Sequence, residues 1–489
     1  MSVDAPADAA PSTPVRPAPG GGARVGAGKL TEGPIARTLL LFSLPILGGN
    51  MLQSLNGSVN AIWVGRLLGE TALAATSNAN LIMFLLLGLV FGIGMAATIM
   101  VGQAMGAGDL DRAKRAMGAG VGFFLVASIV VSVTGYLLTP AMLGWLGTPL
   151  TVAPLAQDYL RIVFMAMPFM FLTTFLGMAL RGSGDSRTPF LFMVVAVALD
   201  IGLNPLLIAG IGPFPKLGIA GASMSTLIAQ VISLAAMVGY IYVRKLDMRL
   251  SGPELRYLRP DGVLLGAMIM KGLPMGLQML VISSSALIMI SMVNHYGAET
   301  VAAYGVGAQI WTYVQMPAMA IGAAASSMAA QNVGAGRWDR VEKTAGAGVT
   351  INVVLTGALV IVVYLVDHAL LGVFLPGAPS TVAIAERINL AIVWSFIPFG
   401  VMFVLFGVVR ATGAVTPPLI ILAISLFGVR ITTAVLLQPR LGEAAIWWSF
   451  PASMLVACAL AALYYRYGGW RKAKIHPVIA AEVEAQAPG

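Results

Sequence analysis

Gln103 to Val121 reads QAMGAGDLDRAKRAMGAGV, and Gln331 to Val349 reads QNVGAGRWDRVEKTAGAGV. The two stretches are near copies of each other, offset by 228 residues. Further pairs at almost the same offset extend the duplication along the chain, namely Pro45 with Pro274, Glu70 with Glu299, and Arg181 with Arg410. The chain is therefore built from two like halves, and any fold assigned to it must contain the same unit twice.

The composition places most of the surface of this chain in lipid. Only 10% of its 489 residues are charged and 58% are hydrophobic, whereas a soluble globular protein carries about 25% charged residues. The apolar runs are long enough to span a bilayer, and they are too long and uniform for barrel strands. We predict an all-α polytopic membrane protein with twelve transmembrane helices. They cover about 36–61, 72–101, 117–138, 159–180, 189–211, 219–243, 263–292, 301–329, 345–366, 389–409, 417–437 and 445–465.

Each half holds six of these predicted helices. Because six is even, both halves enter the membrane in the same direction, as two parallel repeats around a central cleft. We divide the chain into a tail at 1–34, an N-lobe at 35–243, a linker at 244–262, a C-lobe at 263–466 and a second tail at 467–489. The first tail is rich in Ala, Pro and Gly and is predicted to be disordered.

The net charge of +9 comes mainly from loops at one end of the helices. If the N-terminus is cytoplasmic, the loops after the second, fourth, sixth, eighth and tenth helices, with the two tails, hold most of the 29 Lys and Arg residues. This positive-inside bias predicts two cytoplasmic termini. Attraction to anionic membrane lipids accounts for the basic balance, so we expect no nucleic-acid partner.

One carboxyl group is expected deep in the membrane. Asp200 lies about midway along the fifth predicted helix, where a bare charge costs about 3 kcal/mol or more. It should face a cavity or bind a proton, as a proton-coupled carrier requires. The alternative is a structural Asp that bonds to neighbouring helices. Asn204 shares its helix face four residues on, and Pro205 is expected to kink the helix there.

The second half shows no acid at the corresponding place. The 229-residue offset between Arg181 and Arg410 puts Val429 at the repeat position of Asp200. Arg430 follows directly, and we expect its long side chain to snorkel outward or to bond to loop carbonyls. On this reading the two halves share a scaffold, and the candidate coupling site belongs to the first half alone.

A polar stripe runs along the first predicted helix, which Pro45 is expected to bend. Gln53, Asn56 and Asn60 either bond to neighbouring helices or contact cargo. Thr226 in the sixth helix would complete the cluster, although a lone Thr more often bonds to its own helix backbone. We predict that the cation-coupling group is Asp200, Asn204, Asn60 and Thr226, and that the substrate contacts are Gln53, Asn56 and Asp200.

Several stretches together resemble the multidrug and toxic compound extrusion (MATE) family, in the prokaryotic branch named for the DNA-damage-inducible F protein. They are LQSLNGSVNAIWVGRLLG after Pro45, VGQAMGAGDLDRAKR, RGSGDSRTP, LNPLLIAGIG and GIAGASMSTLIAQ. The resemblance covers about 35–465. It implies an antiporter of the bacterial inner membrane that exports organic, mostly cationic or amphiphilic compounds against inward proton or sodium flow.

The chain departs from the pattern of this branch at its polar residues. Relatives often carry Asp where Asn60 stands, Asn at the position of Asp200, and Asp at the position of Asn204. The acid is thus kept but displaced by one helical turn. A sodium site needs several oxygens with more negative charge, so we favour protons as the coupling ion.

No other chemistry is indicated by the sequence. The Gly-rich loops do not fit the phosphate-binding pattern G-x-x-x-x-G-K-[ST], so we expect no ATP. We also expect no metal and no cofactor, no enzymatic activity, and a monomer whose partners are small organic molecules and lipids. The main alternative is a lipid-linked precursor flippase of the same superfamily. A facilitator-type carrier should have its basic loop signature after the second helix, where this chain has GAGDLDRAKR instead. The duplicated lobes argue against a membrane scaffold or receptor.

Overall fold

The computed structural model describes residues 30–145, 147–149, 151–259 and 261–473. Most of the two predicted tails, namely residues 1–29 of 1–34 and 474–489 of 467–489, lies outside the described residues. The described chain is almost entirely helical, which confirms the all-α fold class. Long apolar runs form helices in this setting because a helix satisfies every backbone hydrogen bond within its own segment.

The six helices of the N-lobe are α1 (Ile35–Leu68), α2 (Glu70–Gly106), α3 (Leu110–Trp145), α4 (Ala153–Gly182), α5 (Arg187–Ala209) and α6 (Ile219–Val243). Those of the C-lobe are α7 (Gly262–Val293), α8 (Ala298–Gly334), α9 (Trp338–Phe374), α10 (Pro379–Ala411), α11 (Thr416–Leu441) and α12 (Ala444–Tyr467). A 3₁₀ turn at Val393–Ser395 interrupts α10, and a π-helical segment at Ile424–Ile431 interrupts α11.

Twelve helices in two sets of six agree with the sequence prediction. Among the described residues, eleven are long and apolar enough to cross a membrane. The twelfth, α8, is less apolar because it is rich in Ala, Gly, Ser and Gln, and it is largely buried between α9, α10 and the first two helices of the N-lobe. Protein rather than lipid therefore surrounds its polar residues.

The two copies of the duplicated stretch meet where α2 and α8 end. A Cβ atom on Gly106 would overlap the carbonyl oxygen of Gln331, and a Cβ atom on Gly334 would overlap that of Gln103. Only glycine permits this approach, and it recurs on both helices because the lobes are repeats. We call this end of the molecule the terminal face, since the first and last described residues also lie there.

Two reciprocal hydrogen bonds join the lobes at the terminal face. The side chain of Gln103 donates to the carbonyl of Ala411 at 2.7 Å, and that of Gln331 donates to the carbonyl of Gly182 at 2.9 Å. Each bond runs from the end of one lobe's second helix to the end of the other lobe's fourth helix. The duplicated sequence therefore marks a two-fold contact between the lobes.

Residues 30–33, which we call the N-terminal strap, cover this contact. The backbone of Leu30 donates to Gln331 Oε1 at 3.1 Å, and Arg337 donates to the carbonyl of Thr31 at 2.7 Å. Arg340 bonds to the carbonyls of residues 32 and 33. Here the structure differs from the sequence-based tail at 1–34, because local composition does not reveal a docking site on the other lobe.

The second predicted tail also begins inside the fold. Trp470 is fully buried, stacks on Tyr465, and accepts a hydrogen bond on its carbonyl from Thr412 at 2.8 Å. Arg471 pairs with Glu342 at 2.7 Å. The boundary predicted at 467 therefore falls at the end of α12, and the described residues that follow it still pack on the fold.

The predicted linker at 244–262 contains a short 3₁₀ helix, Gly252–Leu258, that packs on α3. Lys114 donates to both carboxylate oxygens of Glu254, at 2.7 and 2.9 Å. This ammonium group holds the pKa of Glu254 below its ordinary value. The linker thus clamps the N-lobe at the terminal face.

Alanine at the lobe contact should destabilise this conformation. Because neither backbone can yield without moving a helix, Gly106→Ala and Gly334→Ala should each cost about 1–3 kcal/mol, as overpacking does. Thermal unfolding of the purified protein measures the loss. Gly346→Ala is the matched control, since its added Cβ would meet nothing within 4 Å. Equal melting temperatures for all three variants would contradict the close approach.

The clamp on the linker should weaken in acid. A depressed pKa means that the Lys114–Glu254 pair stabilises the docked linker above the ordinary Glu pKa and that this stability is lost as pH falls through the lower, folded value. The hydrogen-exchange protection factors of residues 252–258, which correct for the intrinsic slowing of exchange in acid, should fall roughly two- to fivefold, as expected for a partly exposed pair. Glu254→Gln should have the lower protection factors at every pH, whereas Glu342→Gln should follow the wild type.

Candidate functional site

A cavity of about 350 Å³ lies within the N-lobe, between α1, α2, α4, α5 and α6. Its volume suits a small organic molecule. Five of the residues predicted from the sequence line its wall: Gln53, Asn56, Asn60, Asp200 and Thr226. The same cavity is lined by Tyr159, whose side chain is buried, and by several Met residues, including Met83, Met170 and Met193.

Asp200 is 3% exposed and accepts hydrogen bonds from two neighbouring helices. Asn56 of α1 donates to Oδ2 at 2.9 Å. Ser225 and Thr226 of α6 donate to Oδ1 at 2.7 and 3.1 Å. Three donors satisfy an ionised carboxylate and offset much of the cost of burying it. The acid therefore ties α1, α5 and α6 together at the cavity wall.

A second bond between α1 and α5 lies one helical turn further on. Asn204 is 1% exposed and donates to Asn60 Oδ1 at 2.8 Å, while its own Oδ1 is buried and has no partner among the described residues. Asn56 with Asp200 and Asn60 with Asn204 thus form two rungs between the same helices. The spacing of four residues on each helix, visible in the sequence, produces this ladder because it repeats once per turn.

The other predicted residues take different places. Gln53 lines the cavity but makes no side-chain hydrogen bond to the cluster among the described residues. Pro45 and Pro205 both lie inside continuous helices, α1 and α5. Each removes one backbone donor within a spanning helix, and the proposed bending role of both stays a prediction.

Ser225 is the residue of the cluster that sequence reasoning missed. It is fully buried and makes the shortest bond to Asp200. The sequence does place it beside Thr226, but a Ser in a helix usually bonds to its own backbone, and the carbonyl of Ala222, 2.8 Å away, is a second acceptor for the single Ser225 proton. Only the packing of α6 on α5 shows that it also reaches the acid.

The C-lobe holds a second buried acid, which the sequence analysis overlooked. Asp367 is 8% exposed and accepts a hydrogen bond from Asn389 at 2.7 Å, and Asn389 accepts one from Trp311 at 2.9 Å. Ending the ninth predicted helix at 366 placed Asp367 in a loop, whereas α9 continues to Phe374.

The π-helical segment of α11 alters the expected repeat register. Arg430 is 8% exposed, donates to Ser453 of α12 at 3.0 Å, and lies over the ring of Phe450 at 4.2 Å. It therefore faces α12 much as Asp200 faces α6, and the expectation that it snorkels outward is wrong. A π-helical turn accommodates an additional residue, so Arg430 rather than Val429 takes the place opposite the last helix of its lobe.

Comparison with known proteins assigns the chain to a family. The model of the MatE family matches residues 45–206 and 274–436, once in each lobe. The chain belongs to the MatE family. It is thus an integral, multi-pass membrane protein of a transporter family, and the resemblance inferred from its sequence motifs is confirmed.

Individual relatives agree with this MatE assignment. The "Probable multidrug resistance protein YoeA" of Bacillus subtilis (strain 168) is 36% identical over 92% of this chain and 97% of its own length. The "FAD transporter" of Shewanella oneidensis is 29% identical over 64% of this chain and 69% of its own length. A solved outward-facing conformation of a multidrug resistance MATE family transporter has a TM-score of 0.83 at 20% identity, covering 89% of this chain and 96% of that chain.

The MatE fold places no metal-binding cluster in the part of the chain described here. No group of three or more His, Cys, Asp or Glu residues in that part could hold a metal ion. The polar chemistry of the N-lobe cavity is therefore that of one carboxylate, amides, hydroxyls and, at the end of α4, a guanidinium.

Removing the Ser225 hydroxyl should weaken the contact between α5 and α6. Ser225→Ala deletes a bond to a charged acceptor, which contributes about 1.5–3 kcal/mol, and thermal unfolding should report a loss of that size. Ser223→Ala is the control, because Ser223 is equally buried but bonds only to Ala220 of its own helix. Equal losses in the two variants would mean that the contact with Asp200 contributes nothing.

Proposed function

We propose that this protein is a secondary multidrug antiporter of the bacterial cytoplasmic membrane, with both termini in the cytoplasm. It exports organic, mostly cationic or amphiphilic compounds, exchanges them for inward protons, and uses Asp200 as the coupling group. One observation carries the proposal: a buried carboxylate at the wall of a drug-sized cavity ties three helices together through three donated hydrogen bonds.

Protonation of Asp200 would change this set of bonds. Ser225 and Thr226 have an alternative acceptor, the carbonyl of Ala222, at 2.8 and 3.3 Å. Their hydroxyls can therefore release the acid. The Asn56 amide group has no such alternative among the described contacts. Because a hydrogen bond to a neutral carboxyl group is weaker than one to a carboxylate, protonation weakens the link between α1 and α5. Loss of this link supplies a physical route from proton binding to movement of α1.

Protons fit the cluster better than sodium does. A sodium site needs several oxygens directed at one point, with more negative charge. Both carboxylate oxygens of Asp200 already accept from N–H or O–H donors, and the amide nitrogen of Asn56, rather than its oxygen, faces the acid. The same donors stabilise the ionised carboxylate of Asp200, and they bind it less strongly once it has gained a proton.

The lobe contact supports an assignment of conformational state. If the terminal face is cytoplasmic, the Gln103 and Gln331 bonds close the path on that side. Alternating access then requires both bonds to break together, because they are related by the two-fold repeat.

Replacing the acid should uncouple transport without unfolding the protein. Asp200→Asn keeps the size of the side chain but cannot exchange a proton, so proton-driven uptake of a cationic dye into everted vesicles, which reports export, should fall at least tenfold. Asp158→Asn, an exposed acid on α4, should export as the wild type does. Full export by the Asp200→Asn protein, at unchanged expression, would rule out the coupling role.

A further inference from the structure

Arg181 gives the N-lobe cavity a positive charge, although the fourth predicted helix ended at 180 and so left this residue outside it. It is the residue before the last of α4, and its side chain lines the same cavity as Asp200. The two groups lie at different depths. Asp200 is 13 residues from the start of α5, so roughly 20 Å of helix separates the two levels at a rise of 1.5 Å per residue.

Among the described residues, the guanidinium of Arg181 has no anionic partner. Its Nε atom is fully enclosed and has no acceptor, and no carboxylate lies within ion-pair distance of it among the described residues. The nearest acid in sequence, Asp185, accepts instead from the backbone of Arg187 and from the backbone and hydroxyl of Thr188. The terminal nitrogens are not enclosed and carry no hydrogen bond among the described residues, and the side chain to which they belong lines the cavity.

The repeat offers an internal comparison. Arg410, the counterpart of Arg181, is 4% exposed, and it donates to the carbonyl of Phe406 at 3.1 Å and to Gln278 Oε1 at 3.3 Å. Its polar groups are thus used in packing. Because the same scaffold can satisfy this arginine internally, the unpaired state of Arg181 is a particular feature of the lobe that contains the cavity.

We propose that Arg181 binds a carboxylate or phosphate group of the cargo. A buried charge is costly unless it is paired, and arginine binds planar oxyanions with two parallel hydrogen bonds. With Asp200 at the other level, the cavity then selects elongated, dipolar amphiphiles that carry a cationic and an anionic group. This inference rests on the proposed transport function and narrows its substrate class.

A matched pair of dyes tests the proposal by binding. Rhodamine 19 is a zwitterion with a free carboxylate, and rhodamine 6G is its cationic ethyl ester. The full-length protein is placed in nanodiscs of neutral lipid, and dye binding is followed by fluorescence anisotropy. Arg181→Gln should weaken rhodamine 19 binding about tenfold or more, as expected for a lost charge-assisted bond, and should leave rhodamine 6G unchanged.

Two further variants separate charge from structure. Arg181→Lys keeps a cation and should retain much of the affinity for rhodamine 19. Arg187→Gln removes an exposed arginine from the same turn, outside the cavity, and should change neither dye. Equal weakening of both dyes by Arg181→Gln, or no weakening of either, would overturn the assignment.

A measurement on the wild type keeps the test decisive if a variant fails to fold. Inorganic phosphate should displace rhodamine 19 but not rhodamine 6G, relative to chloride at the same ionic strength. Absence of this competition would count against an oxyanion site. If adding an anionic lipid to the nanodiscs abolishes the Arg181-dependent binding of rhodamine 19, Arg181 holds a lipid headgroup instead of cargo, and the proposal falls.

The two proposals fail separately. Asp200→Asn should weaken both dyes, because both carry the cationic group, and transport in proteoliposomes reports coupling. Arg181-dependent binding without any proton-driven flux would remove the antiport proposal and keep the oxyanion site. If both dyes show proton-driven flux, and if Arg181→Gln changes neither their binding nor their transport rate, the antiport proposal stands and the oxyanion site is removed.

Discussion

The closest contact between the lobes, where α2 crosses α8, sets the geometry of the rest of the molecule. Gly106 and Gly334 let each helix touch the backbone of the other. Gln103 and Gln331 then reach across to the ends of α10 and α4. Because these bonds are made to backbone carbonyls, they define where the helices end as well as where the lobes meet. The strap and the last described residues pack around the same contact.

Around this symmetric contact the buried charges are arranged without symmetry. The N-lobe cavity combines Asp200, which has three donors, with Arg181, which has no acceptor in the part of the chain that the structure describes. In the C-lobe, Arg410 is hydrogen-bonded to Gln278 of its own lobe. Arg430 occupies the place that corresponds to Asp200 and lies over the ring of Phe450, whereas Asp200 accepts hydrogen bonds from hydroxyl groups of α6. A duplicated scaffold can hold charges of opposite sign at related places, because helix packing depends on shape and spacing while the site depends on single side chains.

Much of the fold and part of the site could be predicted from the chain. Helix number, lobe parity and the family resemblance follow from apolar length and from the repeat, which are local or periodic signals. The contact of α1 with α5 was indicated by two polar pairs with a spacing of four residues, Asn56 with Asn60 and Asp200 with Asn204. Ser225 and Arg181 were not predicted, since a Ser in a helix and an Arg near a helix end each have a common structural explanation.

The sequence by itself determined that this is a two-lobe helical membrane protein with one candidate coupling acid, because burial in lipid demands long apolar helices and makes a mid-helix carboxylate conspicuous. The tertiary structure alone decided the partners of that acid, the ordered strap, the second buried acid Asp367, the register of Arg430 and the free guanidinium of Arg181. These features depend on contacts between residues far apart in the chain, such as the 144 residues between Asn56 and Asp200. Only packing of the helices brings such residues within hydrogen-bond distance, and the periodicity of each helix does not fix which donor reaches which acceptor.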